Sequence, residues 1–99
     1  MLSYPNGGHV NDIHISTFQE AIQEIHRAKS RFLGRENVRE VFEGEPVWQG
    51  EVLIFELLDH PGARLCYAWE VDGEVTAVLG QWPIQSARDA VRASIMAQG

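Results

Sequence analysis

Four histidines and one cysteine are the side chains best suited to acid–base or nucleophilic chemistry. His9 and His14 lie near the start of the chain, His26 follows in a charged segment, and His60 precedes Pro61. No two of the histidines have the three- or four-residue spacing that places both imidazoles on one face of a helix. The spacing therefore predicts surface or turn histidines, and we expect neither a metal site nor a cofactor.

Cys66 is the only cysteine, which excludes an intrachain disulfide and any zinc site built on paired cysteines. A lone cysteine within a strand is usually a small buried apolar side chain rather than a nucleophile. Carboxylate pairs can perform acid–base catalysis, but the acidic residues of the middle region are predicted to be solvated positions around a sheet: Glu40, Glu43, Glu45, Glu51, Glu56 and Asp59. The sequence thus identifies no catalytic residue and favours a protein that is not an enzyme.

Three tryptophans in 99 residues are the strongest sign of a binding surface, because tryptophan is enriched at interfaces. Trp69 lies in an alternating apolar segment and is expected in the core. Trp48 and Trp82, each near a glycine or proline at a strand end, are better candidates for an interface. Together with His60 and Tyr67 they form the candidate interface or ligand surface.

The charge balance limits the kinds of partner that the protein could bind. Eight Lys and Arg residues against fourteen Asp and Glu residues give a net charge of −6, which argues against nucleic-acid binding because phosphate contacts need cations. Five basic residues nevertheless cluster in one segment: Arg27, Lys29, Arg31, Arg35 and Arg39. They are expected to complement the C-terminal end of a helix dipole, with an anion or nucleic-acid contact as the alternative.

A long N-terminal helix is predicted over residues 17–33. Ser16 and Gln19 form a capping box at its start, and Gly34 is a natural C-terminal stop. Its apolar residues recur at helical spacing: Phe18, Ile22, Ile25 and Phe32. Residues 1–15, rich in turn-forming types, are expected to be a flexible segment, so that the single domain spans residues 16–99.

The segment 47–81 is predicted to form three consecutive antiparallel strands. Its first strand, residues 47–58, is apolar on both faces in the middle, which indicates a central strand. Pro61 and Gly62 predict a type II turn, across which the register stays open. Residues 35–46 fit either a short edge strand, which we favour, or a single helical turn.

The turn at Asp72 and Gly73 decides which side chains share a face. A two-residue loop would pair Trp69 with Thr76 and place the apolar residues of the last strand opposite the aromatics. A three-residue loop, with Gly73 in a left-handed bulge, would bring those residues onto the aromatic face. Hydrophobic matching favours the three-residue loop.

These elements predict an α+β fold: an N-terminal helix, an antiparallel meander of three or four strands, and a C-terminal helix capped by Ser86. The helices are expected to cover one sheet face. The apolar residues left on the other face would then need a partner, and a homodimer is the simplest one. No apolar run reaches the roughly 18 residues of a membrane span, and no signal peptide is recognisable at the start, so a cytoplasmic protein without membrane contacts is expected.

Several segments carry a family resemblance: Val47-Trp48-Gln49-Gly50-Glu51-Val52, Phe55-Glu56-Leu57, His60-Pro61-Gly62-Ala63, Cys66-Tyr67-Ala68-Trp69 and Ala90-Val91-Arg92-Ala93. Over roughly its last half the chain resembles short uncharacterised bacterial proteins of the integron gene-cassette type. The resemblance implies a bacterial, cytoplasmic accessory protein. It implies no activity and no catalytic residue.

Two functional hypotheses follow. The first is a non-enzymatic binding or protein-interaction module that acts as a homodimer, with an unknown protein or small molecule as its partner. The second is a small-molecule-binding protein or small enzyme, with a pocket between sheet and helix lined by Trp48, Tyr67, Trp69 and His60. A concave pocket with converging polar groups would favour the second.

Overall fold

The structure, a computed structural model, describes residues 12–98. Over these residues the chain forms α1 (Asp12–His26), β1 (Ser30–Phe42), β2 (Glu45–Leu57), β3 (Leu65–Val71), β4 (Glu74–Leu79) and α2 (Ala87–Gln98). The strands make one antiparallel sheet in the order β1-β2-β3-β4. The predicted α+β meander between two helices is confirmed. Residues 12–15 belong to α1, and the flexibility predicted for residues 1–11 concerns positions outside the described part.

Helix α1 ends at His26, seven residues before the predicted end. Arg27 takes a left-handed φ of 58°, and its N–H donates to the Gln23 carbonyl at 2.9 Å, so the helix ends there without a glycine. Ser16 lies inside α1 and does not cap it. The predicted helix to residue 33 is wrong. Phe32 lies in a strand and packs against the same core as α1, so its position in the sequence matches the helical spacing although it is not in the helix.

Strands β1 and β2 form a long hairpin of thirteen residues each. Residues 35–46 therefore form the second part of an edge strand and the hairpin turn that follows it, and they contain no helical turn. Gly34 follows a register shift in β1 and is no helix stop. The turn itself places Glu43 and Gly44 at φ values of 53° and 81°, the positive pair that a two-residue hairpin turn requires.

The two helices pack on opposite faces of the sheet, which corrects the prediction that they share one. α1 covers a cluster built on Phe18, Ile22, Phe55 and Cys66. α2 covers the other cluster, whose buried members are Val38, Val52, Tyr67, Trp69, Ala87, Ala90 and Val91. Because residues 52–55 of the central strand supply apolar side chains to both sides, each face needs its own helix. The expected uncovered apolar face does not exist among the described residues.

The β3–β4 turn has two residues rather than the predicted three. Val71 pairs with Glu74 and Trp69 pairs with Thr76, while Asp72 and Gly73 take φ values of 52° and 83°. The last strand thus places Val75, Ala77 and Leu79 against the α1 cluster, away from the aromatics. The prediction failed because it assumed a single buried face, whereas α1 buries the opposite one.

The loop between β2 and β3 brings Phe55 opposite Cys66, which fixes the register that the sequence left open. Gly62 does not adopt a positive φ, so the predicted type II turn is wrong. The Gly62 N–H instead donates to His60 Nδ1 at 3.0 Å, and Gln81 Nε2 donates to its carbonyl at 2.8 Å. Side chains rather than a standard turn hold this loop.

Helix α2 begins as predicted. The Asp89 N–H donates to Ser86 Oγ at 3.1 Å, and the Gln85 N–H donates to Asp89 Oδ2 at 3.0 Å, which is a reciprocal cap. Within the described residues, neither helix is long and apolar enough to cross a membrane.

Glu40 links α2 to β1 through ion pairs. This corrects the prediction that Glu40 is a solvated carboxylate. It is 5% exposed and accepts from Arg88 Nη1 at 2.6 Å and from Arg92 Nε at 2.8 Å. The basic residues predicted around a helix end lie mainly along β1 instead. There Arg31 pairs with Glu56 across the hairpin.

Candidate functional site

The sheet opens between β2 and β3, and this opening creates the candidate site. The two strands pair from Glu56 and Leu65 to Leu53 and Ala68. Beyond that point β2 continues along β1, while β3 continues along β4. The strands therefore diverge, and the space between them is closed on one side by α2.

Trp48 and Trp69 span the opening from the two separated strands. Their ring centroids are 5.9 Å apart with an interplanar angle of 67°, an edge-to-face arrangement that favours aromatic pairs. Gly50 makes this position possible, because a Cβ on it would lie 2.9 Å from Trp48 Cη2. The Trp48 ring thus lies against Gly50 of its own strand, and a larger residue at that position would displace it.

We name the resulting cavity the Trp48–Trp69 pocket. Its volume is about 520 Å³, and its lining residues are Val47, Trp48, Trp69, Val71, Asp72, Glu74, Thr76, Val91, Ser94 and Ile95. The exposed lining is divided about evenly between polar and apolar atoms, with hydroxyls from Thr76 and Ser94 and carboxylates from Asp72 and Glu74. Small-molecule sites combine apolar walls with a few polar groups, and this pocket offers both kinds of surface.

A second concavity of about 860 Å³ lies at the opposite end of β3. It is larger and more open, and it contains His60 and Trp82. Several of its polar side chains bind one another or nearby backbone: Arg31 pairs with Glu56, and His60 accepts from the loop backbone. We regard it as a surface groove because these groups are already engaged.

The predicted site residues therefore fall into three places. Trp48 and Trp69 meet in the pocket, whereas His60 and Trp82 lie in the groove, with Trp82 82% exposed. Tyr67 is buried among the α2-facing residues and lines neither cavity. The expectation that Trp48, Tyr67, Trp69 and His60 line one pocket is thus wrong in two of four residues. Trp69 is a core residue as predicted, 2% exposed.

Burial changes the pKa of two titratable side chains in the interior. Burial raises the pKa of the Cys66 thiol to about 12, so the thiolate nucleophile is not formed near neutral pH. Burial also raises the pKa of the Tyr67 hydroxyl, with smaller contributions from Asp89 and Glu36. Among the described residues, no group of three His, Cys, Asp or Glu side chains is placed to hold a metal ion.

Sequence reasoning missed three contributors to this region. Gly50 was noted only as part of a motif, although its missing side chain accommodates Trp48. Thr76 was placed on the last strand without a role, and Ile95 was not singled out. The spacing Trp48-x-Gly50 carried the signal, because residues two apart on a strand share one face and a large ring there needs a small neighbour.

Comparisons with known proteins do not assign the chain to a family. No family model, curated protein or solved structure matches the chain.

Proposed function

We propose that the protein is a small non-enzymatic binding module whose ligand occupies the Trp48–Trp69 pocket. The observation that carries the proposal is the opening of the sheet at Leu53 and Ala68. Packed sheets ordinarily fill such a gap with side chains. Here the gap remains a cavity of about 520 Å³ between two tryptophans and a helix.

A binding role is favoured over catalysis because the two carboxylates that line the pocket, Asp72 and Glu74, are exposed residues of a turn. The described lining residues include no His, Cys or Lys. Cys66 belongs to the cluster under α1, on the other face of the sheet. A catalytic site would need a nucleophile or base within hydrogen-bond reach of the reacting atom.

The proposal is tested by nuclear magnetic resonance with a library of neutral, cationic and anionic aromatic fragments. The three tryptophans give three indole N–H signals, which single Trp→Phe variants assign. Fragments are expected to shift the Trp48 and Trp69 signals and to leave the Trp82 signal in place. Trp48→Ala should weaken fragment binding about tenfold or more, as loss of a tryptophan anchor does at a hot spot.

Trp82→Ala is the matched control, since it removes the same side chain at a position 82% exposed and outside the pocket. Gly50→Ala is a second probe, because its Cβ displaces the Trp48 ring without removing it. A fragment response confined to the Trp82 signal, or equal binding by Trp48→Ala and Trp82→Ala, would show that the pocket is not the site.

Self-association is a second candidate function, and the β4 edge favours it. The Gly80 N–H donates to the Leu65 carbonyl at 2.8 Å, so by antiparallel alternation the N–H and C=O groups of Val75, Ala77 and Leu79 point away from β3. The strand between Glu74 and Gly80 carries no charge, and its residues are half-buried. An uncharged edge is a template for another strand, and a second copy would form a homodimer.

The outer edge of the sheet at β1 is less suited to pairing. That strand has two register irregularities and carries Arg31, Arg35 and Arg39. Irregular pairing and charged side chains both hinder the addition of another strand at an edge. Among the residues that the structure describes, the corresponding protection on β4 is a single side chain. His26 Nε2 donates to the Ala77 carbonyl at 2.9 Å.

The biological setting rests on the resemblance alone. We propose a bacterial accessory protein of the integron gene-cassette type that works in the cytoplasm. Its acidic charge of −6 supports the expectation that nucleic acid is not its partner.

A further inference from the structure

We propose that the Trp48–Trp69 pocket selects small organic cations, namely ammonium ions that carry apolar substituents. The inference rests on the proposed function and adds the chemical class of the ligand. It follows from the charges at the pocket, the half-buried Trp48 ring and the pairing of the α2 arginines with Glu40.

The charged groups that line the pocket are all of one sign. Asp72 and Glu74 are both exposed and stand on either side of Gly73 in the β3–β4 turn. The described lining residues include neither Lys nor Arg. A ligand that enters beside this turn therefore meets two carboxylates, on a protein whose net charge is −6.

The arginines of α2 do not offset these carboxylates in the pocket. Arg88 and Arg92 both donate to Glu40, at 2.6 and 2.8 Å, and neither lines the pocket. The helix instead presents Val91, Ser94 and Ile95 to the cavity. An anionic ligand would thus lack a counter-ion, whereas a cation has two.

Trp48 supplies the surface that a cation with apolar substituents needs. It is half-buried and lines the pocket, while Trp69 behind it is only 2% exposed. The face of an indole ring attracts cations more strongly than those of the other aromatic side chains. Apolar substituents would contact Val71 and Ile95, so charge and apolar contact favour the same ligand.

The test compares three ligands of nearly the same shape: choline, neutral 3,3-dimethylbutan-1-ol and anionic 3,3-dimethylbutanoate. Binding is followed through the indole N–H signals of Trp48 and Trp69. Choline is expected to bind about five- to tenfold more tightly than the alcohol, in the range of a cation–π contact. The carboxylate should bind more weakly than either.

The double variant Asp72→Asn, Glu74→Gln should lower choline affinity severalfold and leave the affinity for the alcohol unchanged. Asparagine tolerates the left-handed conformation that Asp72 adopts, so the turn is retained. Glu20→Gln, Glu24→Gln is the control, because it changes net charge equally on the exposed surface of α1. Choline affinity should not change in it.

The outcomes separate this inference from the proposed function. If the alcohol binds as tightly as choline, or if a neutral fragment occupies the pocket while choline does not, the cation preference is wrong and the binding function stands. If neither the three ligands nor the fragment library shifts Trp48 and Trp69, both proposals fail. Equal loss of choline affinity in the two double variants would also overturn the cation preference.

Discussion

At the level of single residues, Glu40 shows how one carboxylate joins two elements. The guanidinium of Arg92, through its hydrogen bond above all, lowers the pKa of Glu40 below its ordinary value, against the opposing effect of burial, and Arg88 adds to the lowering. A buried charge that loses its partner is strongly destabilising. The two arginines, four residues apart on α2, therefore hold the helix against β1 through a single acceptor.

This pairing predicts a pH dependence of stability. Because the folded-state pKa of Glu40 lies below its ordinary value of 4.5, its contribution is complete above that pH and is lost as pH falls through the folded value. We expect the free energy of unfolding, measured by urea denaturation, to decrease below about pH 4.5. The Glu40→Gln variant should be less stable than the unaltered protein at neutral pH, and its free energy of unfolding should decrease less on acidification.

Arg92→Gln provides the matched test of the cause. It removes the hydrogen bond that contributes most to lowering the pKa of Glu40 and leaves Arg88 in place. The acid-dependent loss should be smaller in this variant than in the unaltered protein. Unchanged pH dependence in both variants would contradict the assignment to the Glu40 pair.

At the level of elements, two hairpin turns fix which faces the strands present. Both use a positive-φ pair that ends in glycine, Glu43–Gly44 and Asp72–Gly73. A two-residue loop between β3 and β4 determines that Val75 and Ala77 face α1. A different loop length would transfer them to the opposite face.

Gly73→Ala is predicted to destabilise the protein by about 1–2 kcal/mol, because a Cβ is unfavourable in the left-handed region. Gly34→Ala is the matched control. A Cβ at Gly34 meets nothing within 4 Å, and its φ is not positive, so this variant should be neutral or slightly stabilising, by up to about 1 kcal/mol. Thermal or urea unfolding of the pair checks the prediction, and equal effects would argue against the two-residue turn.

At the level of the whole molecule, the helices cover both sheet faces, and the β4 edge is the surface that we propose for a second copy. A chain of 99 residues buries a limited fraction of its surface, and further burial would come from association. Light scattering after size exclusion, over a dilution series, is expected to give about twice 11.1 kDa. A monomer at every concentration would contradict the homodimer.

Two substitutions should move that equilibrium in opposite directions if β4 is the interface. His26→Ala removes the imidazole from the Ala77 carbonyl and should tighten the dimer. Val75→Pro removes an N–H that points away from β3, which an edge strand tolerates, and should weaken it. A dimer that neither substitution affects would have to form elsewhere.

The sequence by itself determined the type and order of most elements, because these depend on local chemistry, but the type of β1 stayed open and residues 30–33 of that strand were predicted as helix. Ser86 and Asp89 mark the start of α2, and the apolar middle of β2 marks a central strand. Helix capping and hydrophobic periodicity both depend on residues that are close together in the sequence. The burial of Trp69 followed from alternation in the same way.

Tertiary structure alone decided the end of α1, the length of the β3–β4 loop and the location of the site. Phe32 satisfies the apolar spacing of a helix as well as that of a strand, and only its packing beneath α1 distinguishes the two. The loop length depends on whether the second face is covered, which is a fact about α1 rather than about the turn. Trp48 and Trp69 meet, while His60 and Trp82 lie at the other end of β3, because β2 and β3 diverge at Leu53. That divergence depends on packing between elements distant in sequence, which no local pattern records.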